Sequence, residues 1–170
     1  MTPMNSSLRF DPPQFLRIGP HGFLLHRDAD AQIEFPSFTT SILAASTVRK
    51  RFLNGKLVCS SQDAHKARDG SSCDSCHLRS DCLPRIRLRL RPLCSEIPNP
   101  IFLELSFSSA KNFLDYFLNL QSQAIDPLQV PARLSVLNRG RWGEVAFSIH
   151  HPNSPLTHPE NPCLNSSPPP

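Results

Sequence analysis

Four cysteines in the middle of the chain are the residues whose type and spacing most clearly predict chemistry. They form the pattern C-x13-C-x2-C-x5-C and are Cys59, Cys73, Cys76 and Cys82. Two thiolates separated by two residues let one turn of chain wrap an ion, and two further thiolates complete a tetrahedron. The pattern predicts a bound zinc ion, although four cysteines are equally typical of an iron–sulfur cluster.

Other interpretations of these thiols stay open in the sequence. His77 follows Cys76 directly, and Cys94 lies twelve residues beyond Cys82, so either is an alternative ligand. A redox-active C-x-x-C pair is a further alternative, but it expects a thioredoxin-like βαβ setting that this sequence does not show. Metal ligation is therefore the favoured interpretation.

Alternating arginines follow the cysteines and predict the clearest strand of the chain. Ile86, Leu88 and Leu90 fall on one face, and the arginines fall on the other. Of the 18 Lys and Arg residues, 11 lie between residues 49 and 91, against four acids. This concentration of positive charge favours binding of a polyanion such as a nucleic acid, whereas the alternative is an edge strand that uses charge against aggregation. The basic candidates are Arg79 in the cysteine segment and Arg85, Arg87, Arg89 and Arg91 on the strand.

A second basic segment surrounds the only tryptophan. Arg139, Arg141 and Trp142 lie between two predicted strands, residues 132–137 and 144–150, and so form a hairpin tip. An exposed indole at such a tip can stack on an unpaired base, whereas the alternative is that it packs back on the domain.

Several further elements must position these residues. Residues 15–18 and 23–26 predict an opening hairpin around a Gly/Pro turn, and Asn54-Gly55 predicts a second tight turn. Residues 33–47 indicate either a bulged strand or, over 40–50, a short helix. Residues 101–107 predict a strand, and Ser108 or Ser109 is expected to cap a helix that ends near Ser122.

The expected organisation is one mainly β domain. An arm over residues 1–14 precedes an OB-like β-barrel of about five strands and one helix over residues 15–151, with the four-Cys metal-binding insertion at 59–82. A disordered tail over residues 152–170 follows, because eight of the 18 prolines fall from Pro131 onward. With no apolar run long enough to cross a bilayer and no signal-peptide pattern, a cytoplasmic protein without membrane contact is expected.

The motifs also resemble a known group of proteins. Leu57-Val58-Cys59-Ser60-Ser61-x-Asp63, the Cys73-x-x-Cys76 pair and Cys82 before a basic strand resemble zinc-containing OB-fold single-stranded DNA-binding proteins of phages and mobile elements. Asn138-Arg139-Gly140-x-Trp142 is similar as well. The resemblance implies a β-barrel, a structural metal and a groove for unpaired DNA.

The predicted function is non-catalytic binding of single-stranded nucleic acid, with DNA expected, in a protein stabilised by zinc. No catalytic set or Walker-type glycine loop is recognisable in the sequence, so an enzyme is not expected. The alternative is a zinc-stabilised module that contacts protein partners within a larger complex.

Overall fold

The computed structural model describes residues 14–26 and 32–150, which contain nine strands and one α-helix. The predicted arm up to residue 13 and the predicted tail lie outside the described residues. The elements are β1 (Gln14–Ile18), β2 (Phe23–His26), β3 (Gln32–Phe35), β4 (Ser37–Leu53), β5 (Lys56–Ser61), β6 (Leu83–Pro92), β7 (Ile101–Leu105), α1 (Phe107–Ser122), β8 (Ala132–Asn138) and β9 (Gly143–Ile149).

The strands form one mixed sheet in the order β3-β2-β1-β7-β6-β4-β8-β9, with β5 also paired to β4. The strand β1 runs parallel to β7, while the other pairs are antiparallel. The mainly β prediction is confirmed.

The prediction of a barrel of about five strands is wrong. The sheet is open, because its terminal strands β3 and β9 do not pair with each other in the described part of the chain. The long strand β4 is the physical reason. At Lys50 it pairs with β5 on one edge and with β6 on the other, and nearer its start it pairs with β8. Because one strand joins three others, the sheet continues past the point where a small barrel would close.

Residues 33–47, for which the sequence left a bulged strand or a short helix open, are extended and divide at Pro36 between β3 and β4. The strand β4 is 17 residues long, and its register against β6 shifts between Ile42 and Ala44. Its β-branched residues, among them Thr39, Thr40 and Val48, fit an extended backbone better than a helix.

The predicted turns and hairpins are confirmed, while the helix begins earlier than predicted. Asn54 and Gly55 have φ angles of 51° and 75°, the left-handed pair that a two-residue hairpin turn requires. The strand β7 ends at Leu105, two residues earlier than predicted. The helix α1 therefore begins already at Phe107, and its N-cap residue is Ser106 rather than Ser108 or Ser109. Ser106 Oγ then lies 2.9 Å from Ser109 Oγ.

The core lies between α1 and the inner face of the curved sheet. Phe23, Phe35 and Phe38 meet there, and Phe38 packs edge-on against both other rings. Phe113 and Leu120 bring the apolar face of α1 onto the same core. No helix among residues 14–26 and 32–150 is both long enough and apolar enough to cross a membrane.

Candidate nucleic-acid interface and cysteine insertion

The arginine strand β6 lies inside the sheet rather than at its edge. It pairs with β4 on one side and β7 on the other. Leu88 and Leu90 are fully buried in the core, while Arg89 and Arg91 are exposed on the opposite face. Edge protection therefore does not account for Arg87 and Arg89, because β6 is paired on both sides at these two positions.

Two phenylalanine rings lie side by side on this same outer face. Phe15 on β1 and Phe102 on β7 are register partners, with ring centroids 5.5 Å apart and planes inclined by 31°. Phe102 is in turn the register partner of Arg89 on β6. We call the set Phe15, Phe102, Arg87, Arg89 and Arg91 the basic-aromatic face.

Arg87 is held by the protein itself. Its Nε and Nη2 donate to Glu104 Oε1 at 3.1 Å and 2.6 Å, and Nη1 donates to Gln62. Its guanidinium carbon also lies 5.3 Å from the centroid of the Phe15 ring. Arg87 thus fixes Phe15 against the sheet and ties the start of the cysteine segment to the outer face.

Glu104 is the carboxylate at the centre of this network. Lys50 Nζ donates to its other oxygen, Oε2, at 2.5 Å. Burial acts to raise the pKa of Glu104, but the hydrogen bonds and charges of Lys50 and Arg87 outweigh it and hold the pKa below 4.5. The carboxylate therefore stays ionised at neutral pH and keeps both cations in place.

The other arginines of β6 lack such partners. Within the described residues, Arg89 and Arg91 make no ion pair, and the Nε atoms of Arg49 and Arg85 are buried without a hydrogen-bond partner. The exposed charges of Arg89 and Arg91 therefore remain available to an external anion.

Besides Arg87, two more of the predicted basic residues are paired with acids. Arg79 Nη1 lies 3.2 Å from Asp74 Oδ1 within the cysteine segment. Arg139 Nε lies 3.2 Å from Glu144 Oε2.

The tryptophan tip is exposed and lies beside the first turn of the chain. Trp142 is 58% exposed, as expected for a side chain that does not pack back on the domain. Its backbone oxygen accepts a hydrogen bond from Arg139 N at 3.0 Å, which closes the tip, and Arg141 is exposed beside it. Asn138 Nδ2 lies 3.0 Å from His21 Nδ1 in the turn after β1. Phe15 is three residues before the end of β1, so about 10 Å of strand separates it from this turn.

The cysteine insertion, residues 59–82, begins and ends on either side of β4. Cys59 on β5 pairs with Arg51, and Cys82 immediately precedes Leu83, which pairs with Lys50 across the other edge. The segment between them folds back in two isolated bridges, Ser61 with Ala67 and Lys66 with Ser72. The two outer cysteines are thereby brought to the same end of the sheet.

Local hydrogen bonds shape the insertion. Asp63 Oδ1 accepts from the backbone N–H groups of His65 and Lys66, and these bonds lower the pKa of Asp63 to about 2. Cys73 N donates to His65 O at 2.7 Å, and Cys82 N donates to Arg79 O at 3.1 Å. The bend before Cys73 uses Gly70, whose φ is 87°.

The four thiols are all reduced and influence one another electrostatically. Burial is the largest cause of the raised pKa of Cys59, followed by the charges of Cys82, Asp69, Cys73 and Cys76. Even so, in the described residues no three His, Cys, Asp or Glu side chains converge closely enough to hold a metal ion. The metal site therefore stays a prediction.

Neither of the alternative ligands, Cys94 and His77, is better placed for metal binding than the four predicted cysteines. Cys94 follows the far end of β6 from Cys82, packs against the core and is disulfide-bonded, so it offers no thiolate to a metal. His77 is exposed between Cys76 and the short 3-10 turn at Arg79–Asp81.

Sequence reasoning did not single out the phenylalanine pair. The alternation of Phe102 with buried Ile101, Leu103 and Leu105 was a local signal that its ring faces outward. The position of Phe15 beside it depends on a parallel pairing between strands distant in sequence, for which the chain carries no local signal.

Comparison of the chain with family models, with curated proteins and with solved structures finds no match. The resemblance to zinc-containing single-stranded DNA-binding proteins therefore rests on the sequence motifs alone.

Proposed function

We propose that this protein binds single-stranded nucleic acid without catalysing a reaction, and that DNA is its natural polymer. The observation that carries the proposal is the pair of outward rings, Phe15 and Phe102, next to the unpaired cation Arg89 on the outer face of the sheet. Every base has a flat face, so a strand with unpaired bases can stack there whatever its sequence. Duplex bases are already stacked and paired, and cannot use these rings.

The charges on this face divide into two roles in the proposal. Arg89 and Arg91 are exposed and contact backbone phosphates. Arg85, near the start of β6, contacts a phosphate as well. Arg87 is a positioning residue, because its donors are already committed to Glu104 and Gln62. Arg79, Arg139, Arg141 and Trp142 extend the contact beyond the sheet.

Zinc is part of the proposal, with an iron–sulfur cluster as the alternative. Cys59, Cys73, Cys76 and Cys82 are the four proposed ligands, and their mutual effect on the pKa of Cys59 supports a common neighbourhood. Binding a cation would remove the repulsion between thiolates and fix the insertion against Arg87 through Gln62. A reducing compartment such as the cytoplasm would keep these thiols available. Visible absorbance separates the alternatives, because iron–sulfur clusters are coloured and zinc sites are not.

A second candidate function is supported by a different surface. The β4–β5 hairpin exposes four apolar side chains: Phe52, Leu53, Leu57 and Val58. Several exposed apolar side chains on one hairpin of a small domain are typical of a protein-binding site. This observation favours a metal-stabilised module that contacts a protein partner, either instead of or together with nucleic-acid binding.

The test is the affinity of the full chain for a fluorescent single-stranded oligonucleotide and for its duplex, at about 50 mM and about 200 mM salt. We expect preference for the single strand and a steep loss of affinity with salt. No binding to either oligonucleotide at the lower salt would reject the proposal and leave the protein-interaction module as the better hypothesis.

A further inference from the structure

A groove separate from the basic-aromatic face runs between α1 and the β8–β9 hairpin. Its volume is about 750 Å³, within the usual range of small-molecule sites. The helix contributes Tyr116 and Asn119, its C-cap residue Gln123 lies beside them, and the hairpin contributes Arg139 and Phe147. The groove therefore joins an apolar aromatic wall to several polar groups.

The hydroxyl of Tyr116 is the strongest indication that this groove takes a ligand. Tyr116 is only 8% exposed, and its hydroxyl is buried without a hydrogen-bond partner in the described part of the chain. A buried hydroxyl without a partner is costly, and a ligand that hydrogen-bonds to it would remove that cost. Burial also raises the pKa of Tyr116, so the hydroxyl keeps its proton as a donor at neutral pH.

The carboxamides beside Tyr116 supply further donors and acceptors. Gln123 Nε2 donates to Asn119 Oδ1 at 2.7 Å. This bond leaves the amide nitrogen of Asn119 and the carbonyl oxygen of Gln123 without other partners among the described residues. One neutral donor and one neutral acceptor next to a phenol match the edge of a nucleobase, which carries both kinds of group.

The aromatic wall suits a flat ligand. The rings of Tyr116 and Phe147 lie 5.9 Å apart at an interplanar angle of 30°, and Leu120 and Ile149 line the groove with them. A planar heterocycle can contact such a wall over one face while its edge reaches the amides.

Two acids line the groove, and each of them is paired with a cation. Asp115 is paired with Lys111 at 2.6 Å, and Glu144 is paired with Arg139 at 3.2 Å. Arg139 also belongs to the Trp142 tip, where Arg141 and Trp142 are exposed. Arg139 and Arg141 thus place cationic groups at the end of the groove nearest the hairpin tip.

We propose that this groove receives one unpaired nucleobase of the bound strand, with the Tyr116 hydroxyl, Asn119 and Gln123 contacting its edge and Arg139 contacting its phosphate. The inference rests on the proposed function and adds a base-reading site to it. The basic-aromatic face is insensitive to base identity, so the groove would give the protein its preference among bases.

The test combines two readouts on the full chain. Amide chemical shifts are recorded by NMR during titration with each of the four deoxynucleoside monophosphates, and affinities are measured for four single-stranded homopolymers. Tyr116→Phe removes one oxygen, and Gln123→Ala removes one amide. Gln121→Ala is the matched control, because Gln121 is an exposed glutamine of the same helix that does not line the groove.

We expect at least one monophosphate to shift amides of α1 and β9. Tyr116→Phe and Gln123→Ala should each weaken binding of the preferred base by about 2- to 10-fold, the range for one hydrogen bond, while Gln121→Ala has no effect. The wild-type protein could bind homopolymers while no amide of the groove shifts and both groove variants keep wild-type affinity. That result would overturn this inference and leave the proposed function intact. Failure of the wild-type protein to bind any homopolymer would instead overturn the proposed function, and this inference with it.

Discussion

Phe15 and Phe102, on neighbouring parallel strands, hold their rings 5.5 Å apart on the outer face of the sheet. The guanidinium of Arg87 lies over Phe15 and is fixed by Glu104, so the first ring is held in a defined position. Arg89 is the register partner of Phe102 and makes no ion pair among the described residues. Two neighbouring aromatic rings beside a cation without an ion pair are the kinds of group that unpaired nucleotides contact.

Trp142 offers an intrinsic probe, because it is the only tryptophan of the chain and is 58% exposed. If bases stack on the hairpin tip, adding a single-stranded oligonucleotide should quench and shift its emission along the same curve as the binding isotherm. The matched duplex should leave the emission largely unchanged at equal concentration. An isotherm with no accompanying change in emission would remove the tip from the interface.

Arg89 is expected to contact a phosphate. Arg89→Ala should weaken single-strand binding and reduce the slope of log affinity against log salt by about 0.7, the value for one phosphate contact on a single strand. Arg133→Ala is the matched control, since Arg133 is an exposed arginine on β8 that donates to Ser37 Oγ. Equal salt slopes for Arg89→Ala and the wild-type protein would move the phosphate contact elsewhere.

The distinction between Arg89 and Arg87 also shows how much the sequence could predict. The alternation of residues 85–91 correctly placed Leu88 and Leu90 inward, because strand periodicity is a local property. It could not show that Arg87 is committed to Glu104, since that contact depends on β6 lying beside β7. The paired Phe15 and the open sheet escaped prediction for the same reason: both depend on which distant strands become neighbours.

For the cysteine insertion, the prediction came from residue spacing rather than from strand periodicity. Spacing alone located Cys59, Cys73, Cys76 and Cys82, and the structure brings the two outer cysteines to either side of β4. Ligation itself depends on thiolate positions to within a few tenths of an ångström and on the identity of the ion, neither of which is encoded in spacing.

Glu104 should make stability depend on pH. Its pKa is held below the ordinary value of 4.5, so its stabilising effect is present above about pH 4.5 and is lost as the pH falls through the lower folded-state pKa. Glu104→Gln should therefore lower the free energy of unfolding at pH 7 and flatten its decline in acid, as measured by urea unfolding at several pH values.

Asp115→Asn is the control for Glu104→Gln. Asp115 pairs with Lys111 on the exposed surface of α1, where an ion pair contributes little to stability. If both variants lose the same stability at pH 7, then the Lys50, Arg87 and Glu104 network does not have the special role assigned to it.

Cys73→Ser and Cys76→Ser test the metal proposal. Each should abolish stoichiometric zinc in the purified protein and lower its thermal stability, because ligation contributes directly to folding free energy. Ser75→Ala, between the two cysteines, should retain the metal. The measurement is metal content by mass spectrometry together with visible absorbance, and full zinc retention in both cysteine variants would refute the ligand assignment.

Fluorescence anisotropy with a single-stranded oligonucleotide and its duplex tests whether the basic-aromatic face binds unpaired bases. Phe15→Ala combined with Phe102→Ala is compared with Phe52→Ala, whose ring is 43% exposed against 41% for Phe15. The double variant should lose roughly tenfold or more in single-strand affinity, the effect of removing a stacking contact, whereas Phe52→Ala should bind like the wild-type protein. Wild-type affinity in the folded double variant would show that unpaired bases do not bind to these rings.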